Sequence, residues 1–377
     1  MRIGIDGLPL TESLAGVGYY TLELAHHLSR DASGDEVEVV SPKPFLDSLR
    51  LCERNDSRLR FGTEKTNPVT ARWWSIGLPR YLRRRRPDVF HGTNFEIPLR
   101  SVCPTVLTIH DLSLLLYPET HERRRVWRAR RRLPLMARKA TLIITVSEAV
   151  RQEVNRHLRI PLEKIKTVHS AAREFFRPME PERAELIRTR LNIAGDFVLY
   201  TGTIEPRKNL SLLVRAFTEI SRRRPGLQLV MAGKKGWLVE DFYNSLRQSS
   251  ANKNVVFTGY LNDEELCALY SSCKVFVYPS LYEGFGFPPL EAMACGAPVI
   301  ASRIPSIEEV AGTAALFVSP HSWIDLAESI SRVLDNSSLR EELITAGLER
   351  AKQYSWAMTA ERTRAVYQEA MALYKKS

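Results

Sequence analysis

Between Tyr200 and Glu291 the chain carries two stretches whose residue types suit one piece of chemistry. The first is Thr201-Gly202-Thr203-Ile204-Glu205-Pro206-Arg207-Lys208-Asn209, which reads as a strand end, a turn and two adjacent cations opening a helix. The second is Glu283-Gly284-Phe285-Gly286-Phe287-Pro288-Pro289-Leu290-Glu291, two carboxylates spanning a glycine-rich loop. Breaking a bond to a diphosphate puts negative charge on the leaving oxygens, which a metal, Arg and Lys, or the amides of a helix start can meet. No two Asp residues stand in an Asp-x-Asp pair, a spacing that often holds a divalent ion. The cationic route is therefore favoured, with Arg207 able to make forked contacts and Lys208 acting as a point charge. The same two side chains are also compatible with a solvated first helical turn, although cations there oppose the helix dipole.

In the second stretch, Gly284 and Gly286 allow a ligand to approach the backbone closely, and Pro288 or Pro289 suits a first helical turn. Glu283 then falls in the loop before the helix and Glu291 within its first turn. Carboxylates so placed can accept hydrogen bonds from sugar and ribose hydroxyls while helix amides face phosphate. A plainer reading has Glu291 complementing the helix dipole and the glycines forming an ordinary loop. The flanks, Val275-Phe276-Val277-Tyr278-Pro279-Ser280 before and Ala292-Met293-Ala294-Cys295-Gly296-Ala297-Pro298-Val299-Ile300 after, make the pattern specific.

These motifs need strands to carry them. Short β-branched runs at 3–6, 37–40, 89–91, 106–110 and 142–146 alternate with helical periods in the first half. In the second half the runs fall at 197–201, 228–232, 255–258, 275–278, 299–301 and 316–318. Such alternation predicts parallel sheets sandwiched by helices, with ligands gathered at the carboxyl ends of strands. Arg173 to Pro181 reads as the connection between two domains, and a last helix is predicted from Trp356 to about Lys375. Gly16-Val17-Gly18, between a strand and a helix, is either a phosphate-facing turn or a plain tight one. His110 ends an apolar strand, where a packed imidazole is an ordinary finding.

With further segments the chain resembles the retaining glycosyltransferases of the two-domain GT-B type, the nucleotide-sugar-dependent group 1 enzymes. Those segments are Gly16-Val17-Gly18-Tyr19-Tyr20, Phe90-His91-Gly92-Thr93-Asn94, Thr108-Ile109-His110-Asp111-Leu112 and Thr145-Val146-Ser147-Glu148. Phe257-Thr258-Gly259-Tyr260-Leu261 and Tyr354-Ser355-Trp356 extend the match nearly end to end. The pattern is most similar to bacterial enzymes that transfer mannose or a related hexose in surface-polysaccharide assembly.

The resemblance implies an α/β fold of two Rossmann-like domains with a cleft between them. Residues 1–175 would bind acceptor, 176–355 would bind the nucleotide-sugar, and a C-terminal helix, 356–377, would cross back to the first domain. It implies transfer of a hexose, mannose from GDP-mannose in the first place, with retention, to a saccharide or lipid-linked acceptor. A UDP-linked glucosyl, galactosyl or N-acetylglucosaminyl donor is the alternative on the same fold. Arg207 and Lys208 would stabilise the diphosphate, Glu283 would orient the sugar and Glu291 would hold the ribose. Gly16 and Gly18 would close over the phosphates, and His110 would contact a sugar hydroxyl without acting as nucleophile. Gly202, Gly284, Phe285 and Gly286 would complete the donor site, with the base selected near Tyr260. Asn94, Asp111 and Ser147 would face the acceptor or the sugar. No metal or other cofactor is implied. No Asp or Glu stands out as a nucleophile, so the implied route is front-face, the leaving phosphate helping to deprotonate the acceptor. Thr203 stands where some relatives carry a further Arg, which places more of the phosphate binding on Arg207 and Lys208.

Composition fits this expectation. A length of 377 suggests two to three domains, and 44% hydrophobic with 26% charged residues is ordinary for a soluble globular protein. A strand pattern begins at Arg2, so no secretory signal is expected, and no apolar run approaches the ~18 residues of a membrane span. Cys52, Cys103, Cys267, Cys273 and Cys295 are scattered, without metal spacing, and read as reduced thiols of a cytoplasmic protein. The net charge of +11 is concentrated at Arg80 with Arg83 to Arg86, and at Arg123, Arg124, Arg125, Arg128, Arg130, Arg131, Arg132, Arg138 and Lys139. Val126, Trp127, Leu133, Leu135 and Met136 intersperse the second cluster, which reads as a solvated helix face or as peripheral attachment to an anionic membrane. A non-catalytic polyanion- or membrane-binding protein is the rival of another class. Nucleic acid is not expected as a partner despite a pI near 9.5, because the second basic cluster has no stacking aromatic beyond Trp127 and no recognition motif appears.

Overall fold

The computed structural model describes residues 1–12, 14–31, 33–46, 49, 56–100 and 102–376. In chain order they form β1 (Arg2–Asp6), α1 (Gly16–Arg30), β2 (Glu36–Ser41), β3 (Leu59–Thr63), α2 (Leu78–Arg85), β4 (Val89–Gly92) and β5 (Thr105–Ile109). Next come α3 (Ser113–Leu116), α4 (Arg123–Lys139), β6 (Leu142–Thr145), α5 (Glu148–Leu158), β7 (Ile165–Thr167) and α6 (Pro181–Arg190). They are followed by β8 (Phe197–Thr201), α7 (Leu210–Arg223), β9 (Gln228–Ala232), α8 (Glu240–Gln248), β10 (Val255–Gly259), α9 (Asp263–Ser272) and β11 (Val275–Tyr278). The last are α10 (Phe287–Ala294), β12 (Val299–Ser302), α11 (Pro305–Ala311), β13 (Ala315–Val318), α12 (Trp323–Asp335), α13 (Ser337–Ala351) and α14 (Trp356–Tyr374).

Two compact units result. One comprises Met1–Leu112, Trp127–Ser170 and Ser355–Ser377; the other comprises Ser113–Val126 and Ala171–Tyr354. The division thus falls inside α4, and Arg123, Arg124 and Arg125 of the second basic cluster group with the other unit from Arg128 onward.

The first unit holds a parallel sheet ordered β3-β2-β1-β4-β5-β6-β7. Its central strands are apolar on both faces and wholly buried, as in β4, β5 and β6, because helices cover both sides of a parallel sheet. Two of its strands, Leu59–Thr63 and Ile165–Thr167, were not foreseen from the sequence; they are the two edges. Helix α14, capped by Ser355, whose hydroxyl accepts the Met358 amide at 3.2 Å, packs on this unit. Trp356 is 1% exposed and lies edge-on to Tyr20. Tyr367 bonds His91 Nδ1 at 2.7 Å, Thr359 donates to the His169 carbonyl at 2.8 Å, and Arg364 pairs with Asp31 and Asp35.

The second unit holds a parallel sheet ordered β10-β9-β8-β11-β12-β13. In each sheet the order reverses at one place: between β1 and β4 in the first unit, and between β8 and β11 in the second. The crossovers from the two neighbouring strands leave in opposite directions there, opening a crevice at their carboxyl ends where ligands gather in open α/β sheets. Among the described residues no helix is long and apolar enough to cross a membrane.

Candidate functional site

Both chemical motifs stand at the reversal point of the second sheet, one following β8 and the other following β11. Asn209, held at φ 56, does not cap α7 with its side chain; its amide donates to the Pro279 carbonyl at 3.2 Å and the Pro320 carbonyl at 2.8 Å. The Leu281 amide donates to the Arg207 carbonyl at 2.9 Å, and Arg207 Nη1 donates to the Tyr282 carbonyl at 2.7 Å. Two loops separated by about seventy residues of chain are thus stitched into one surface.

At its centre Glu283 sits between both cations, with Oε2 2.9 Å from Arg207 Nη1 and Oε1 2.5 Å from Lys208 Nζ. Lys208 also donates to the Tyr278 hydroxyl at 2.7 Å, and Arg207 Nη2 reaches Glu205 Oε1 at 2.7 Å. Burial works to raise the Glu283 carboxyl, but Arg207 and Lys208 outweigh it and bring it down to about 2. For Lys208, burial pulls the ammonium below its ordinary range against the attraction of Glu283. The cluster therefore contains two cations and two carboxylates in balance. An incoming diphosphate would have to share or displace Glu283 to reach them.

The structure departs from the sequence expectation in four respects. Pro206–Lys208 forms a separate 3-10 turn, so Arg207 and Lys208 precede α7 and do not lie in its first turn. Gly286 caps α10 and Phe287 begins it, which puts Glu291 in the second turn, not the first. There Glu291 Oε1 lies 3.6 Å from Arg173 and Oε2 accepts from the Tyr270 hydroxyl at 3.4 Å; burial raises its carboxyl while Arg173 opposes. Pro288 and Pro289 occupy the second and third helical positions and have no N–H, so amides near a phosphate would come from the Gly284–Phe287 loop and not from an amide-rich helix start. Phe285 is 3% exposed, its ring packed on Phe287 and Tyr354, so any ligand contact there falls to its main chain.

Two glycines of this site are demanded by geometry. Gly286 has φ 99, and a Cβ there would meet Ile307 Cδ1 at 2.3 Å. Gly202 has φ 140, and the loop after β9 approaches so closely that a Cβ on Gly233 would lie 2.0 Å from the Gly202 carbonyl oxygen. Tyr260, after β10, is 53% exposed, with the Lys234 ammonium 4.4 Å from its ring centre. A cavity of about 420 Å³ opens beside the Glu205–Asn209 turn, lined by Glu119, Glu205, Asn209 and Phe242 but by neither Arg207 nor Lys208.

The other expected site residues lie in the first unit. Gly16 opens α1 with free space where a Cβ would stand, whereas a Cβ on Gly18 would press on the Pro9 carbonyl at 3.0 Å. His110, after β5, is 8% exposed; its Nε2 donates to the Thr93 carbonyl at 2.7 Å, which leaves Nδ1 as the lone-pair nitrogen. Burial lowers its pKa, against the Thr93 carbonyl and Asp111, so the ring is neutral. Asn94 and Asp111 are half-buried. Ser147 has a structural task, its hydroxyl accepting the Val150 amide at 3.2 Å as the cap of α5.

Residues not singled out from the sequence complete both clusters: Tyr278 and Glu205 around Lys208 and Arg207, and Arg173 and Tyr270 around Glu291. Tyr278 was legible as the last residue of its strand, but Arg173 is 118 positions from Glu291 and gave no signal. The cysteines are less scattered than expected: Cys267 and Cys295 bring their sulfurs to 3.7 Å in the second core, while Cys103, Cys267, Cys273 and Cys295 are all free and buried. Cys52 lies outside the described residues. Among the described residues no group of three or more His, Cys, Asp or Glu is placed to hold a metal ion.

The chain matches the family profile "Glycosyl transferases group 1" over residues 185–350 and "Glycosyltransferase Family 4" over residues 14–172. It is 32% identical over 368 residues to O-antigen chain mannosyltransferase B of Escherichia coli, covering 94% of this chain and 96% of that protein. Serotype-specific mannosyltransferase WbdA of Escherichia coli is 34% identical over 232 residues, 59% of this chain and 28% of WbdA. Among solved structures, sucrose-phosphate synthase from Thermosynechococcus elongatus superposes with a TM-score of 0.79 at 21% identity, covering 100% of both chains. Sheet order, motif placement and these matches agree: the chain belongs to the group 1 glycosyltransferases and has the paired Rossmann-like domains of the GT-B fold.

Proposed function

We propose that this glycosyltransferase moves mannose from GDP-mannose, with retention, onto a saccharide or lipid-linked acceptor in polysaccharide assembly. The observation that carries the transfer reading is the joined cluster of Arg207, Lys208 and Glu283 at the reversal point of the second sheet. Cations preorganised there would meet the charge that develops on a departing diphosphate, where donors act most strongly. The mannosyl assignment is supported by the relative matched along 96% of its length, which is named a mannosyltransferase.

In this reading Arg207 and Lys208 hold the diphosphate, Glu283 moves from the cations to the sugar hydroxyls, and Glu291, oriented by Arg173 and Tyr270, receives the ribose. Gly202 and the loop amides of Gly284, Phe285 and Gly286 border the phosphates, and Tyr260 borders the base. From the first unit, the amide of Gly16 would serve phosphate, that of Gly18 already donating to the Ala15 carbonyl at 2.5 Å, and His110 Nδ1 would accept from a sugar hydroxyl. Asn94 and Asp111 would serve the acceptor; Ser147 keeps its capping role. No metal is required, so EDTA should leave turnover intact. The exposed arginines of α4, beside Trp127 at 58% exposure, would attach the enzyme to anionic lipid. Indifference of liposome co-sedimentation to lipid charge and to salt would remove that element.

The donor is tested by thermal shift across nucleotide-sugars, since a bound ligand raises apparent stability by mass action. GDP-mannose should raise the melting temperature most, and its transfer product should carry an α-anomeric signal by NMR. A larger shift with UDP-glucose, UDP-galactose or UDP-N-acetylglucosamine would replace GDP-mannose in the assignment; no shift with any of them, and no hydrolysis, would favour a non-catalytic binder.

A further inference from the structure

The first sheet has a reversal point of its own, between β1 and β4, and the side chain that ends β1 there is Asp6. It is 2% exposed. One carboxyl oxygen, Oδ1, accepts the Leu8 amide at 3.1 Å; the other takes no partner among the described residues. The remaining acids of comparable burial are otherwise provided for. Asp35 meets Arg364 and the N-terminal ammonium, Asp56 has Arg30 at 4.0 Å and the Ser29 hydroxyl, and Glu205 has Arg207. Asp6 has no cation. Its charged neighbour is Glu96, of like sign and already engaged by Arg132 at 2.5 Å.

Burial, with Glu96 adding to it and the Leu8 amide opposing, pushes the Asp6 carboxyl up to about 7. A packed core gains nothing from such a group, because burying an unpaired carboxyl costs stability. Perturbed, unpaired titratable groups in crevices mark working sites more often than scaffold. Position points the same way. Thr93, directly after β4, donates its hydroxyl to the Asp6 carbonyl at 3.2 Å, and its own carbonyl receives His110 Nε2 at 2.7 Å. Asp6, Thr93 and His110 therefore form one rigid chain across the carboxyl ends of β1, β4 and β5.

We propose that Asp6 is an acceptor ligand of this transferase: its free carboxyl oxygen takes a hydrogen bond from the hydroxyl of the saccharide that receives the hexose. The inference rests on the transferase reading above and adds to it a residue that fixes which hydroxyl is presented. Sequence spacing gave no hint, since a single Asp at a strand end has no partner nearby in the chain.

Asp6→Asn keeps the shape and the Leu8 contact while removing the charge. With GDP-mannose as donor and octyl α-D-mannopyranoside as acceptor probe, the acceptor KM should rise about ten- to a hundredfold, the loss expected for one hydrogen bond to a charged group. The GDP-mannose KM should stay within about twofold, a split that a merely structural role would not produce. An unchanged acceptor KM, or both KM values rising together, would overturn the proposal. Should the variant not fold, the wild type provides a second reading. Its acceptor kcat/KM should fall as pH drops below 7 while the donor KM stays level. The charged group that acts on Asp6 is Glu96, itself paired with Arg132, and His110 is joined to the Asp6 main chain through Thr93; Glu96→Gln should leave that limb in place. Absence of the limb counts against Asp6. Wild-type protein that neither hydrolyses nor transfers from any nucleotide-sugar would remove the functional reading, and this inference with it.

Discussion

Lys208 combines burial with two polar partners, Glu283 and the Tyr278 hydroxyl, and its removal has two separable effects. Lys208→Ala leaves Glu283 buried with Arg207 alone, a change that typically costs about 3–5 kcal/mol of stability. It should also lower donor-saturated turnover ~10²–10³-fold, the loss seen when one preorganised charge-stabilising donor is removed. Turnover must be read well below the variant's melting temperature; a value within severalfold of wild type would refute the role. Asp6 makes a prediction of opposite sign. Its carboxyl is raised in the folded chain, so its contribution favours the native state fully only below the ordinary value of 3.8 and is lost as pH climbs through about 7. Asp6→Asn should therefore raise the melting temperature more at pH 8 than at pH 5, the gain in stability differing by at most about 3 kcal/mol between the two. A variant equally stable relative to wild type at both pH values would contradict the burial argument.

Elements explain which parts of the site could be read in advance. Runs such as Val275-Phe276-Val277-Tyr278 announce central strands because helices bury both faces, and each of these strands delivers its loop to a predictable end of the sheet. The edge strand Leu59–Thr63 carries Arg60 and Gly62, and Ile165–Thr167 is only 3 residues long, so neither has that signature. Glu291 falls outside the first turn of α10 for a local reason. Two prolines suit a first turn and stand in it, but the helix begins at Phe287, one residue before them, after Gly286 in a left-handed conformation, and that one position carries Glu291 past the first turn. Gly286 is the element-scale weak point: Gly286→Ala imposes φ 99 on a residue with a Cβ and drives that Cβ into Ile307. A loss of about 2–4 kcal/mol is expected from strain and overpacking together. Circular-dichroism melts would show it, and donor affinity should weaken as the loop shifts. Unchanged stability would mean that the loop tolerates another backbone conformation.

At the scale of the molecule, the two α/β units were legible from alternating strands and helices, and the last helix from the Tyr354-Ser355-Trp356 segment that opens it. What the order of residues did not disclose was contact over long separations, such as the Cys267–Cys295 approach, Arg173 beneath Glu291, or Asp6 beside Thr93. Helix α14 belongs with the first unit through Trp356, Thr359, Arg364 and Tyr367. Trp356→Ala should cost about 3–5 kcal/mol, as large buried aromatics do, and the melt should report it. A cost below about 1 kcal/mol would mean the helix is held by its ion pairs instead.

That attachment also sets a timetable for biosynthesis. The first sheet is roofed by a helix made only after the second unit, so its slot for Trp356 stays vacant throughout translation of Ala171–Tyr354, roughly 10–40 s at ordinary elongation rates. Nascent chains should accordingly expose greasy surface on the first unit and depend on holding factors until α14 has emerged.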